Sequence, residues 1–330
     1  MNPRGVLPLL HFLSNHSVFR LKAIGISVCL LFMGAFAAYG FEKPIDKAIA
    51  VVSLRIRPYV EALEALAETL SAEMGIQTIP VFLDNESGKS REMLTKRLAE
   101  ADDATVFIAV GPEAAHLLWK DLSIADEKKI FTMVLNPEKA LPLQQTDCGI
   151  SLNIPIESQL RIIKQVLPST HRIGLIYNPE YNAVFSGEAR RVGLLLGLTI
   201  MPLEVADRKD IATILQRNRE KIDALWMIPD QTVISESLVP FIIKEAIAKA
   251  VPVIGFNRFF YENGASLCYL FDYKGIGKQT GRLLLERLKG GACGNEPPEF
   301  KVWCNIKVMN ALGVNYNADA IGTAAIGQGP

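Results

Sequence analysis

From residue 48 onward, short apolar runs alternate with segments whose apolar residues recur at helical spacing. The runs AIAVVSL, ATVFIAV and KIFTMVL are typical of buried strands, and an amphipathic segment follows the first of them. This segment starts at Pro58, which suits the first turn of a helix, and stops at Gly75. The alternation predicts right-handed βαβ units and parallel sheets.

The pattern restarts near residues 148–155 and continues with the apolar runs RIGLIY, LTIMPLEV, DALWMI, VPVIGF and ASLCYLF. Two runs of four or five strands predict an α/β fold of two doubly wound parallel-sheet lobes, with a ligand cleft and a hinge between them. A single larger sheet and an eight-fold barrel are the alternatives, and the restart argues against the barrel. We expect these boundaries: residues 45–149 and 272–295 in lobe I, residues 150–271 and 296–318 in lobe II, and residues 319–330 in a flexible tail.

The N-terminal segment has the three-part layout of a secretory signal peptide. Arg20 and Lys22 precede an apolar stretch over residues 23–36, and small residues follow in AFAAYG. The apolar core is short for a membrane span. We therefore predict a signal peptide over residues 1–40 and a periplasmic protein, with retention as an N-terminal anchor as the alternative.

Charge and histidine content exclude two classes of function. Without residues 1–41 the chain keeps 32 Lys and Arg against 35 Asp and Glu, so its net charge is near −3. No basic stripe remains, which argues against a nucleic-acid partner. His116 and His171 are the two histidines left, and neither neighbours a Cys, His or carboxylate at ligand spacing. We predict no metal and no cofactor.

Four cysteines, Cys148, Cys268, Cys293 and Cys304, follow the predicted signal peptide. An even number in an exported protein suggests pairing, and four cysteines allow three connectivities. Cys293 and Cys304 bracket the turn-rich GNEPPEF, so a Cys293–Cys304 bridge is preferred over buried thiols. A catalytic pair of Cys148 and Cys268, as in a two-lobed racemase, is a third possibility.

Short polar residues, glycines and prolines follow the predicted strands. Ligands of parallel α/β sheets bind outside the carboxyl ends of the strands, so these positions predict the cleft. Helices start directly after several of them, and their free backbone N–H groups would suit a carboxylate. Each such residue could equally form a turn or an N-cap. The candidate ligand-binding residues are Ser53, Arg57, Gly111, Pro112, Asn136, Tyr177, Tyr181, Asn182, Asp230, Gln231, Asn257 and Asp272.

One acidic candidate and two arginines predict which groups of a ligand they would bind. Asp230 follows the apolar ALWMIP and could pair with a ligand ammonium or hydroxyl, or cap the next helix. Arg55 and Arg57 near the cleft would favour an anionic ligand group, unless they point to solvent. Enzyme signatures such as G-x-S-x-G, the Walker loop and H-E-x-x-H are missing, so we predict no catalytic residues.

The segments RIGLIYNPEYNAV, DALWMIPDQTVISE, VPVIGFN and FDYKGIGKQTGRLLLERLKGG resemble a known family in order and spacing. They are similar to the ABC transporter substrate-binding proteins of the tryptophan/tyrosine-binding type, which have a type 1 periplasmic-binding-protein fold. The resemblance runs from about residue 48 to 312 and is strongest over 154–291. It implies an exported protein that binds a small molecule between two lobes and delivers it to a membrane permease and its ATPase.

The resemblance also assigns positions in the cleft. A polar loop of the family corresponds to Tyr181, Asn182 and Ala183, where a serine is common at the last position. The family's Thr-Asp-Asn loop corresponds to residues 229–231 and keeps the acid as Asp230. Its Thr-Asp-Pro in the first lobe corresponds to residues 135–137, where Asn136 replaces the acid.

We therefore expect a monomeric solute-binding protein of an ABC importer that closes around an amino acid or a small carboxylate-bearing compound. Closure would occur at strand crossings near residues 149–152 and 270–272. The alternatives are a ligand-sensing module for a membrane receptor or kinase and the cysteine-based racemase.

Overall fold

The computed structural model describes residues 45–83, 88–122, 124–125, 128–142, 147–291 and 293–323. The predicted signal peptide over residues 1–40 lies outside them. Within the described part, no helix combines the length and the apolar character that crossing a membrane requires.

Two six-stranded sheets organise the chain from Ile45 onward. The first has the order β11-β5-β4-β3-β1-β2, and its described pairs are all parallel. Its central strands are buried along their whole length, as parallel strands covered on both faces must be. Its strands are β1 Lys47–Val52, β2 Gln77–Phe82, β3 Thr105–Val110, β4 Lys129–Val134, β5 Gly149–Ser151 and β11 Asn295–Glu296.

The second sheet has the order β12-β10-β9-β8-β6-β7. It is parallel except at β12, which pairs with β10 in the antiparallel direction. Trp226 and Tyr269 are fully buried against it and fill much of its core. Its strands are β6 Arg172–Tyr177, β7 Thr199–Glu204, β8 Ala224–Met227, β9 Val253–Gly255, β10 Leu267–Phe271 and β12 Phe300–Cys304.

Helices connect the parallel strands, as the alternating pattern predicted. A π-helical turn, Leu117–Asp121, extends α3, and a 3₁₀ turn, Arg208–Asp210, precedes α7. The helices are α1 Arg57–Met74, α2 Gly88–Ala99, α3 Pro112–His116, α4 Pro137–Ala140, α5 Ile156–Val166, α6 Pro179–Leu195, α7 Ile211–Asn218, α8 Leu238–Ile247, α9 Arg258–Glu262, α10 Tyr273–Leu288, α11 Ile306–Ala311 and α12 Ala318–Thr323.

The predicted fold class, two α/β lobes with parallel sheets, is confirmed. The chain passes between the sheets at three places: after β5, after β10 and between β11 and β12. The sequence pattern missed β5, β11 and β12, because these strands have two to five residues and lack a long apolar run. Helix α12 occupies the start of the segment expected to be a flexible tail, and residues 324–330 lie outside the described part.

Glycines let α10 pack closely on α1. A Cβ atom at Gly277 would collide with the carbonyl oxygen of Ala62, and one at Gly281 would lie 2.8 Å from Cγ2 of Thr69. The spacing of four residues between the two glycines predicts close packing of this helix on its sheet, but the partner is a helix of the same lobe. This contact attaches α10, which follows the second crossing, to lobe I.

Replacing Gly277 with alanine is expected to lower the free energy of unfolding by about 2–3 kcal/mol, because the added methyl group forces the two helices apart. Chemical denaturation measures the change. Gly187→Ala is the matched control: Gly187 lies inside α6, and its Cβ would meet nothing within 4 Å. It should gain about 0.5–1 kcal/mol from helix propensity. Equal effects of the two variants would contradict the close packing.

Candidate functional site

A cavity of about 260 Å³ lies between the two sheets, where the carboxyl ends of strands from both lobes meet. Such a position is where ligands of open α/β sheets bind. A further pocket of about 360 Å³ lies between α7 and α8 within lobe II, so it receives no contribution from lobe I. The interlobe cavity is lined by Leu135, Asn136, Lys139, Leu152, Asn153, Ile154, Pro155, Ile156, Gln159, Asn182, Phe185, Met227, Ile228, Pro229, Phe256 and Phe271.

Lobe I contributes polar groups from the segment after β4. A bulge at Met133, with a φ of 63°, shifts the register of β4 directly before this segment. The Asn136 backbone N–H donates to Oδ1 of Asn153 over 3.0 Å, which joins the ends of β4 and β5. The Lys139 side chain also lines the cavity, and it has no hydrogen bond or ion pair with the described residues.

Lobe II contributes the amide of Asn182. The family resemblance implies a loop at this residue, but α6 begins at Pro179, so Asn182 lies in its first turn. Its φ of −127° and ψ of 19° interrupt the helix there. Asn182 Nδ2 donates to Oδ2 of Asp230 over 2.8 Å, so its carbonyl oxygen and its second N–H are left for a ligand.

Asp230 is a structural clamp and does not line the cavity. Its side chain is 3% exposed. Oδ2 also accepts the N–H of Asn178 at 2.8 Å, and Oδ1 accepts the N–H groups of Thr232 and Val233 at 2.9 and 3.1 Å. With four donors in place, the carboxylate ties the loop after β8 to the start of α6. A direct contact between Asp230 and a ligand stays a prediction, although both of its oxygens are occupied by protein donors here.

The start of α5 faces the cavity without a side-chain cap. Its N-cap residue is Pro155, which offers no side-chain acceptor, and both Pro155 and Ile156 line the cavity. The first N–H groups of a helix have no intrahelical partner and carry partial positive charge. One turn later, Nε2 of Gln159 donates to the Ile154 carbonyl over 2.9 Å, which leaves Oε1 for another donor.

Aromatic and aliphatic side chains form the rest of the wall. Phe185 packs edge-on against Trp226, with ring centroids 5.5 Å apart. Phe256 packs against Phe260 at 4.6 Å. Phe271 lies at the end of β10, next to the second crossing. These neighbours hold the rings in place, so the cavity offers a preformed apolar surface.

Several predicted ligand contacts are helix caps instead. Ser53 Oγ accepts the N–H of Ala114 in α3 over 3.0 Å, and it lies beside Gly111. Asn257 accepts the N–H of Phe260 in α9, and Asp272 accepts that of Gly275 in α10. None of the four residues Ser53, Gly111, Asn257 and Asp272 lines the cavity, and neither does Pro112 at the start of α3.

Asp272 also forms an ion pair with Lys301, at 2.9 Å. Partial burial acts to raise the pKa of Asp272, but the hydrogen bonds from Lys301 and Gly275 outweigh it and hold the pKa below its usual value. The pair lies at two crossings, because Asp272 follows β10 and Lys301 lies in β12.

Four further predicted ligand-binding residues lie outside the cavity lining. Arg57 is exposed and pairs with Glu61 on its own helix at 2.6 Å, so it provides no charge to the cavity. The Tyr177 hydroxyl donates to Glu204 at 3.0 Å, and burial, the largest influence, raises the pKa of Tyr177. Tyr181 and Gln231 are exposed outside the cavity lining.

Two of the predicted ligand-binding residues, Asn136 and Asn182, line the cavity. The segment from Leu152 to Gln159 was missed, although it supplies six lining residues. Its only sequence signal was the restart of the strand pattern near residues 148–155, which marks a crossing between lobes. Lys139 was missed because it follows the strand end by one helical turn.

The predicted Cys293–Cys304 bridge is wrong, since Cys293 is bonded to Cys148. The pairing joins the segment before β5 to the segment before β11, two neighbouring strands of lobe I. Cys268 and Cys304 are free thiols, and burial raises the pKa of Cys304 to about 12. The racemase alternative requires the thiols of Cys148 and Cys268 as its acid and base. The sulfur of Cys148 is in the disulfide and carries no proton to transfer, so this pair is lost.

The chain belongs to the ABC transporter substrate binding protein family, whose sequence model matches residues 128–326. This confirms the family that the sequence resembles. The protein is therefore a substrate-binding protein of ABC-transporter type.

Individual relatives are distant in sequence. The chain is 23% identical to the tyrosine-binding protein of Clostridioides difficile (strain R20291) over 241 residues, which are 69% of this chain and 68% of that protein. The ligand-free, open structure of a Clostridium difficile substrate binding protein with adhesive properties is 17% identical, with a TM-score of 0.71, over 87% of this chain and 100% of that one. An ABC domain of Streptococcus pneumonia in complex with L-Trp is 19% identical, with a TM-score of 0.54, over 84% and 99%.

Proposed function

We propose that the protein is the extracytoplasmic solute-binding component of an ABC importer. It holds an amino acid or a small carboxylate-bearing compound between its lobes and presents it to a membrane permease and its ATPase. The observation that carries the proposal is the interlobe cavity, to which the strand ends of both lobes contribute. The cavity is slightly smaller than pockets for drug-sized ligands, which measure roughly 300–1,000 Å³.

The apolar wall supports a ligand with an aromatic or aliphatic body. One relative is named a tyrosine-binding protein, and the structure of another is a complex with L-Trp. Phe185, Phe256 and Phe271 provide surfaces against which such a body would pack.

The rim of the cleft supports hinge closure. Leu54 and Ile56 follow β1 on lobe I, and Tyr181 and Val184 lie near the start of α6 on lobe II. All four are exposed, Val184 to 78%. A rotation of the lobes about the three crossings would remove these side chains from water as the ligand is enclosed.

The Cys148–Cys293 bridge supports an oxidising compartment outside the cytoplasm, where structural disulfides persist. A periplasmic location through the predicted signal peptide fits this chemistry.

Thermal-shift screening against amino acids, small monocarboxylates and nucleosides tests the proposal. A ligand at 100 times its dissociation constant should stabilise the protein by about 2.7 kcal/mol. Phe185→Ala should weaken the best ligand about 10-fold, since it removes one apolar wall. Phe259→Ala is the control, because Phe259 is 37% exposed and outside the cavity lining.

A folded protein that no compound of the panel stabilises would contradict the proposal. So would a ligand whose affinity is the same for the wild-type protein and Phe185→Ala.

A further inference from the structure

We propose that the cavity selects a monocarboxylate with an apolar body, such as a 2-hydroxy acid, over the α-amino acid with the same body. The proposal rests on the proposed function, because it concerns the ligand of the same cavity. Its basis is the charge of the lining: Lys139 supplies one ammonium, and none of the described lining residues carries a carboxylate. A ligand carboxylate would meet an opposite charge there, whereas a ligand ammonium would be buried without one.

The acid of the second lobe cannot supply that missing charge. Asp230 lies behind the lining, and its two oxygens already accept four hydrogen bonds. A ligand ammonium would have to displace Asn182 from Oδ2 to reach it. The cavity therefore presents the neutral amide of Asn182 in place of the carboxylate.

Donors and partial positive charge cluster where a carboxylate would bind. Asn153 uses Oδ1 to accept the Asn136 N–H, so its Nδ2 group is left to donate to a ligand. The uncapped start of α5, at Pro155 and Ile156, comes two residues after Asn153 in the chain and also lines the cavity. Lys139 adds a full charge from lobe I. Helix N-termini and ammonium groups both favour anions.

The remaining polar side-chain groups on lobe II are the neutral amides of Asn182 and Gln159. Asn182 donates to Asp230 and Gln159 to the Ile154 carbonyl, so each has its side-chain oxygen left. Gln159 is only 9% exposed, and its Oε1 has no hydrogen-bond partner within the described part of the chain. A ligand hydroxyl can donate to such an oxygen without bringing a charge, which is why a 2-hydroxy acid suits the lining.

Matched ligand pairs test the selection. Isothermal titration of the full chain would compare 3-phenyllactate with L-phenylalanine, 2-hydroxy-4-methylpentanoate with L-leucine, and lactate with L-alanine. Within each pair the body and the carboxylate are the same, and only the hydroxyl or ammonium differs. The hydroxy acid of the best-bound pair should bind at least about 10-fold more tightly than the amino acid.

Two substitutions test the charges that carry the selection. Lys139→Met keeps the side-chain length and should weaken the hydroxy acid about 10-fold, because the partner of its carboxylate is removed. Lys120→Met is the control, since Lys120 is an exposed lysine of the same lobe outside the lining. Asn136→Asp places a carboxylate in the lining with almost no change of volume and should shift the preference toward the amino acid by about 10-fold.

The outcomes distinguish a failure of the proposed ligand selection from a failure of the proposed function. Equal or tighter binding of the amino acids in wild-type protein would overturn the selection but leave the proposed function intact. Unchanged affinity for the hydroxy acid in Lys139→Met, or an unchanged preference in Asn136→Asp, would also overturn it. If no member of any pair binds, and the wider thermal-shift panel gives no hit, the proposed function fails together with the selection.

Discussion

Replacing both Cys148 and Cys293 with alanine is expected to lower the free energy of unfolding by about 4 kcal/mol. The two residues are 145 positions apart, so the bridge closes a long loop of the unfolded chain and restricts its conformations. The bridged sulfurs also belong to the core: Cys148 is completely buried, and Cys293 packs against the same cluster. Denaturant unfolding of the double variant and the wild-type protein measures the difference.

Cys304→Ala provides the matched control, because Cys304 is a free thiol outside the bridge. Its unfolding free energy should change by at most about 1 kcal/mol, and a reducing agent should destabilise this variant but not the double variant. Peptide mapping of the unreduced protein should recover Cys148 linked to Cys293. A Cys293–Cys304 peptide would refute the pairing.

Asp230→Ala is expected to lower the free energy of unfolding by about 3–4 kcal/mol. The substitution removes the acceptor of four hydrogen bonds and leaves buried donors without partners, among them the backbone N–H groups of Asn178 and Val233. It also frees Asn182, so ligand affinity should fall together with stability. Denaturant unfolding and ligand titration of the same preparation measure both quantities.

Asp210→Ala is the control variant that removes one negative charge without removing a hydrogen bond. Asp210 is exposed in lobe II, and its carboxylate makes no hydrogen bond with the described residues. Its loss should change the unfolding free energy by less than about 0.5 kcal/mol. If Asp230→Ala abolished binding at unchanged stability, Asp230 would be a direct ligand contact, and the clamp would be refuted.

Several polar residues at the strand ends accept hydrogen bonds from helix starts, and one physical reason explains this. Asn257 and Asp272 each accept a backbone N–H at the start of the helix that follows, and Ser53 accepts one at the start of α3. Helix capping and ligand binding select the same short polar side chains at the same strand ends. A sequence therefore locates the edge of the sheet at which a ligand binds, but it does not separate caps from ligand contacts.

The site also depends on residues that no local pattern marks. Asn153, Pro155 and Gln159 reach the cavity because the chain crosses between the lobes there. Lys139 reaches it from the short helix α4 that follows Asn136. Their role follows from the approach of two lobes, which a pattern along one chain does not contain.

The sequence by itself determined the alternation of strands and helices, the two lobes, and the edge on which the cleft lies. It did so because burial of parallel strands requires apolar runs and because polar residues must follow where those runs end. Only the tertiary structure decided the partner of Cys293, the clamp at Asp230 and the lining of the cavity. These depend on contacts between residues tens of positions apart or more, and chain spacing does not fix such contacts.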